Sequence, residues 1–140
     1  MLHKLGEYEF EDGRSPMRTF ETGATRDSDE GKLDYEGFLS PLVLQRYAEY
    51  MHKHRKQSDG SMRDSDNWQK GMPLNVYIKS AWRHFHDWWM EHRGLPSREG
   101  LEEALCALMF NTMGYLHQVL IAKKANLGTE NPAPDASVSR

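Results

Sequence analysis

The sequence predicts an all-α fold: a small helical bundle of three main helices with a polar N-terminal arm, completed by oligomerisation. Three observations carry this. Leu44, Tyr47, Ala48 and Met51 recur at i, i+3, i+4 and i+7, which gives one apolar helical face. A second run keeps the same period from Leu74 until Gly94 and Pro96 stop it. A third, from Leu101 to Ile121, is apolar almost all round, as a central, buried helix is.

The first helix is expected over 41–54. Ser40 is placed to cap its free N–H groups, and Pro41 loses nothing at the first helical position. The second is expected over 74–93. Ile78, Ala81, Trp82, Phe85 and Trp89 form its apolar stripe. Tyr77, Ser80, His84, Asp87 and Glu91 line up along another face, with Arg83 beside them. The third is expected over 98–125, with Ser97 as cap and Gly100 in its first turn. Between the first two helices lies a loop, 55–73, rich in Gly, Ser, Asp and Asn. Its length suits a functional loop, and Trp68 within it argues for order, because an indole gains by burial. These parts make a helical domain at 38–126. Residues 1–37 are the polar arm, with short extended pieces around Tyr8–Phe10 and Met17–Phe20. Residues 127–140 are Pro- and Ser-rich and are expected to be disordered.

Composition narrows the function. The 140 residues hold 18 Lys+Arg against 21 Asp+Glu, a net charge of -3, which argues against a nucleic-acid polymer as partner. A single cysteine, Cys106, leaves no internal disulfide and no multi-cysteine zinc site; inside the apolar helix it reads as core. No run approaches ~18 consecutive apolar residues, so no membrane span is expected. The N-terminus has no apolar stretch for a signal peptide, so the expected compartment is the cytoplasm.

The candidate chemistry is carboxylate chemistry. Glu99 and Glu102 form E-x-x-E at the start of the third helix, with Glu103 adjacent; residues i and i+3 share a face and can grip one Mg²⁺ or Mn²⁺. The bland alternative is that acidic residues favour a helix N-terminus. Asn111 lies about 80° round the helix from Glu103, and a buried Asn needs partners. His84-Phe85-His86-Asp87 contains a His-Asp pair, but no further Asp follows until Asp135, so the metal pattern of HD-type phosphohydrolases fails. In the arm, Arg26 and Lys32 suit phosphate, Asp34 a ribose or base edge, and Tyr35 stacking.

The order of motifs is more specific than any one of them. G-A-T-R-D at Gly23–Asp27 is followed by G-K-x-D-Y at Gly31–Tyr35 and R-Y-A-E at Arg46–Glu49. Then come N-W-x-K-G at Asn67–Gly71, S-x-x-R-H at Ser80–His84, and an acidic start running into an apolar helix with Asn111. Over about residues 20 to 120 this resembles the N-terminal domain of phage and prophage dATP/dGTP diphosphohydrolases, and more distantly the all-α MazG-type nucleotide pyrophosphohydrolases. The resemblance implies hydrolysis of dATP or dGTP to monophosphate and pyrophosphate by a metal-activated water. Glu102 and Glu103 would be catalytic. Mg²⁺ (or Mn²⁺) would sit among Glu99, Glu102, Glu103, Glu49 and Asp87. The nucleotide would meet Arg26, Lys32, Asp34, Tyr35, Asn67, Trp68, Lys70, Arg83, His84 and Asn111. MazG-type enzymes pair E-x-x-E with E-x-x-D, whereas here Cys106 follows Glu103 by three and Arg46 precedes Glu49 by three. The alternatives are therefore a nucleotide-binding module that does not cleave, such as a phage sequestering protein, and a structural helical protein. A homo-oligomer is expected in each case, because a helical part of about 85 residues limits core burial and Trp82, Trp88 and Trp89 cover more than one face.

Overall fold

A computed structural model describes residues 16–130, with side chains described through residue 127. The described residues fall into two units that meet between residues 40 and 41.

In the first unit, β1 (Met17–Thr19) and β2 (Thr25–Asp27) form an antiparallel hairpin in which Arg18 pairs with Arg26. Arg18 braces it: its guanidinium meets both carboxylate oxygens of Asp29, at 2.8 and 2.9 Å, and lies 5.6 Å from the Phe20 ring centre. A short helix, α1 (Tyr35–Phe38), follows; the Asp34 carboxylate accepts from the Gly37 N–H at 2.9 Å and caps it. The arm thus carries local structure that its lack of periodicity hides. The extended piece expected at Met17–Phe20 is present as β1; that at Tyr8–Phe10 lies outside the described residues.

The second unit holds α2 (Pro41–Lys53), α3 (Leu74–His92) and α4 (Leu101–Glu130). The three expected helices are there, and the mostly helical chain is a small bundle. Two boundaries of α4 differ. Gly100 has φ +90°, so it ends the connection and does not join the first turn; its N–H donates to Ser97 Oγ at 3.1 Å. At the other end the helix runs through 127–130, which the Pro/Ser-rich composition had assigned to the tail.

α4 organises the core. Ala104, Ala107, Asn111 and Gly114, at 3-4-3 spacing, are all buried. Gly114 lets the Tyr77 ring of α3 lie directly on the helix, and Tyr77 is 1% exposed. Next to this line, Cys106 and Ala107 cluster with Tyr50 of α2, and Tyr47, Met51 and Phe110 pack against them.

α3 is turned opposite to what its pattern suggests. The line from Tyr77 to Glu91 goes inward: Tyr77 and Asp87 are buried, and Ser80, His84 and Glu91 are half-buried. The apolar stripe faces out, with Trp82 67% and Trp89 53% exposed. The α3–α4 connection supplies the reason. Arg98 holds the Asp87 carboxylate from Nε at 3.0 Å and again from Nη2. Glu91 accepts from the Ser97 N–H at 2.9 Å and its hydroxyl at 2.7 Å. With each acid answered, the polar line can be buried.

The hydrogen bond from Arg98 holds the Asp87 carboxyl below its ordinary value of 3.8, against the opposing effect of burial. A folded-state pKa below the unfolded one adds stability that is full above pH 3.8 and is lost as pH falls through the folded value. Arg98→Ala leaves that carboxylate unpaired and is expected to cost about 1–3 kcal/mol at neutral pH, less than a fully enclosed pair because the guanidinium is half in water. Urea denaturation should show the gap between wild type and variant closing as pH is lowered below 3.8.

By length and composition α4 also contains one stretch able to cross a membrane, Leu101–Leu127, with a mean hydropathy of 1.3 over its best window. Asn111, Thr112, His117 and Gln118 cut it into shorter apolar pieces, so no single run is long although the stretch as a whole is apolar.

Candidate functional site

The long loop is ordered and builds one wall of a cleft. Just after α2, Lys56 and Met62 pair across a tight turn at Gly60. The Arg63 N–H donates to the Arg55 carbonyl at 2.9 Å, and Arg55 Nε returns a bond to the Arg63 carbonyl at 2.7 Å. Inside the turn, Asp59 accepts from the Ser61 N–H at 2.9 Å and its hydroxyl at 2.6 Å. A 3-10 turn at Asn67–Lys70 then lays Trp68 edge-on against His117 of α4, with ring centres 4.8 Å apart. Gly71 ends this turn at φ +82°, and a Cβ there would strike the Gln118 side chain, so the loop lies close on α4.

Between this loop, α2 and α4 is a cleft of about 1190 Å³. Tyr47, Tyr50, Trp68 and Phe110 supply aromatic wall; Met51, Met62 and Met113 add adaptable apolar surface. Arg55, Arg63 and Lys70 line it against one carboxylate, Asp64, so its charge is positive; His52 and His54 also face it. Burial, then the nearby Glu99 and Glu103 charges, push the Tyr50 phenol up to about 12. It therefore stays protonated and available to donate. Tyr47 is likewise raised by burial, and its hydroxyl meets Met113 Sδ at 3.8 Å.

The sequence-derived candidates fall into separate groups. Asn67, Trp68 and Lys70 line the cleft. Arg83 lies elsewhere, in a shallow hollow with Trp82, Asp87 and Arg98. His84 is half-buried on α3, its Nδ1 3.9 Å from Asp87 Oδ2, too far for a hydrogen bond. Burial and then the Arg98 charge lower its pKa. Asn111 is buried and donates to the Ala107 carbonyl at 2.8 Å, the behaviour of a satisfied core amide. Arg26, Lys32, Asp34 and Tyr35 belong to the first unit, where Asp34 is a helix cap.

Four of the five candidate carboxylates already have partners. Arg46 donates from Nε to Glu102 at 3.0 Å and from Nη2 to Glu103 at 2.9 Å. The other Glu103 oxygen lies 3.4 Å from Lys53 Nζ and 3.6 Å from His54 Nε2. Burial acts to raise the Glu103 pKa, but Arg46, Lys53 and His54 outweigh it and the carboxyl ends below its ordinary value. Glu49 accepts from Gln45 at 3.3 Å, Asp87 is held by Arg98, and Glu99 is exposed. Among the described residues no group of three or more His, Cys, Asp or Glu is placed to hold a metal ion. A Mg²⁺ does not fit this arrangement, because Arg46 and Arg98 would have to withdraw before it could be bound.

Arg55, Arg63, Tyr47, Tyr50, Phe110 and His54 join the cleft without having been singled out from sequence. The dense basic run His52–Lys56 was the available signal for His54 and Arg55 alone; Arg63 needed the cross-turn pairing, and Tyr47, Tyr50 and Phe110 the packing of the helices. The chain matches no protein-family model, no curated protein and no solved structure.

Proposed function

We propose that this chain binds a nucleoside phosphate in the cleft between α2, the 55–73 loop and α4, without cleaving it. One observation carries the reading: the cleft combines aromatic faces with three cations and a single carboxylate, while three of the acids a hydrolytic metal would need, Glu102, Glu103 and Asp87, are paired with Arg46 and Arg98. An aromatic wall suits any base, because every base offers a π-face. Arg55, Arg63 and Lys70 suit phosphate oxygens, with arginine supplying a planar fork of donors and lysine a point charge. Asn67 and the protonated Tyr50 add hydrogen bonds toward base or sugar. At about 1190 Å³ the space exceeds the usual range for small-molecule pockets, so a nucleotide fits with room for its phosphates.

The direct check is a thermal-shift panel of purine and pyrimidine nucleotides, with and without Mg²⁺. A ligand that binds only the native state raises the melting temperature. The expected outcome is a shift with nucleoside di- or triphosphates in both conditions, and nucleotide recovered intact by chromatography. No shift with any nucleotide contradicts the proposal. Release of pyrophosphate that requires Mg²⁺ and disappears in Glu103→Gln would replace it with the hydrolase reading.

A further inference from the structure

We propose that the exposed face made by α3 and the first half of α4 is the interface with a second copy of this chain. Ile78, Trp82, Phe85 and Trp89 follow one another at 4-3-4 spacing, the period of helices packed side by side in a bundle. Leu101, Leu105 and Leu108 repeat 4-3 spacing along α4. The two rows share a face: Leu108 lines one shallow apolar hollow with Ile78, Trp82 and Phe85.

The occupant follows from polarity and area. The unit's own packing uses the polar line of α3, so among the described residues of this unit the apolar stripe is left uncovered. None of the seven seam positions carries a charge, so the surface suits a copy of itself, as a two-fold contact requires. A fully buried Trp hides roughly 150–250 Å², so Trp82 at 67% and Trp89 at 53% exposure alone present about 200 Å². Ile78, Phe85, Trp88 and Leu101, each 38–49% exposed, bring the face to roughly 500 Å². Two such faces reach the ~1,000 Å² in total at the lower limit of a specific interface, and the largest apolar patch on a protein surface is often a contact site. Two antiparallel α3–α4 pairs stacked this way make a four-helix bundle.

No seam residue lines the cleft, so this inference and the nucleotide reading fail independently. The test is sedimentation equilibrium of the full chain from about 1 to about 100 µM, with melting temperature followed over the same range. The expected result is a monomer–dimer equilibrium and a melting temperature that rises with concentration. Trp82→Glu and Phe85→Glu should each weaken association at least tenfold while keeping the helical circular dichroism spectrum. If one variant does not fold, the concentration dependence of the wild-type melt still decides. A wild-type monomer throughout, or a dimer equally tight in both variants, overturns the proposal. So does a monomer that instead partitions onto phosphatidylcholine vesicles, which would make lipid the cover for this face.

Discussion

Trp68→Ala is expected to weaken nucleotide binding by roughly 5- to 150-fold, the range for losing one base–aromatic stack. The side chain is half-buried at the cleft wall, braced by His117 from α4. Removing it takes away both stacking area and one contact between loop and helix. The effect should divide accordingly. Titration calorimetry should show the affinity falling, while the melting temperature of the free protein falls modestly because Trp68 lies outside the central cluster of Tyr50, Cys106 and Ala107. Trp68→Phe keeps a π-face and should recover most of the affinity. Lys70→Ala should act differently, reducing the affinity for triphosphate more than for nucleoside, since it removes charge and no ring. Unchanged affinity in Trp68→Ala would take the base out of the cleft.

Gly114→Val is expected to destabilise the helical unit. A Cβ at this position would lie 2.5 Å from Cε1 and 3.0 Å from Cζ of Tyr77. The obstructing atoms belong to a rigid ring that is 1% exposed, so it has no solvent to swing into. Replacing a mid-helix glycine ordinarily gains up to about 1 kcal/mol in helix propensity. Here the overpacking should dominate, with a net loss of about 1–3 kcal/mol. For a unit of this size that lowers the melting temperature by roughly 5–20 °C. A double-mutant cycle with Tyr77→Leu separates the two effects: the smaller side chain should relieve part of the clash, giving a coupling energy. A variant as stable as wild type would mean that α3 does not lie on α4 at this point.

The helices of this protein are easy to read from sequence, and their orientation is not. Periodicity places α2 and α3 almost to the residue, because Pro41 opens one and Gly94 with Pro96 stop the other; α4 starts three residues later and ends five residues further on than the expected 98–125. What periodicity cannot supply is which face turns inward when polar residues have partners waiting. Asp87 and Glu91 look like solvent residues until Arg98 and Ser97 fold back on them. Gly100 reads as a weak helix position until its positive φ takes it out of the helix.

The candidate site divides along the same line. Asn67, Trp68 and Lys70 are close in sequence and reach the cleft together on one 3-10 turn. Arg55 and Arg63 are brought there by a small hairpin that turns at Asp59-Gly60, a local turn signal that does not say which side chains it carries to the cleft. Glu102 and Glu103 suggest a metal when read alone; Arg46, 56 and 57 residues earlier, already occupies both. Long-range charge pairing is the information a local pattern lacks.

The central claim is that the cleft holds a nucleotide that leaves unchanged. Isothermal titration of the full chain with dATP and dGTP, in EDTA and then in Mg²⁺, tests it most directly when the cell contents are afterwards separated by chromatography. The expected result is saturable binding in EDTA, similar binding in Mg²⁺, and only the original triphosphate recovered. Absence of binding in both buffers, or recovery of monophosphate and pyrophosphate, contradicts the account.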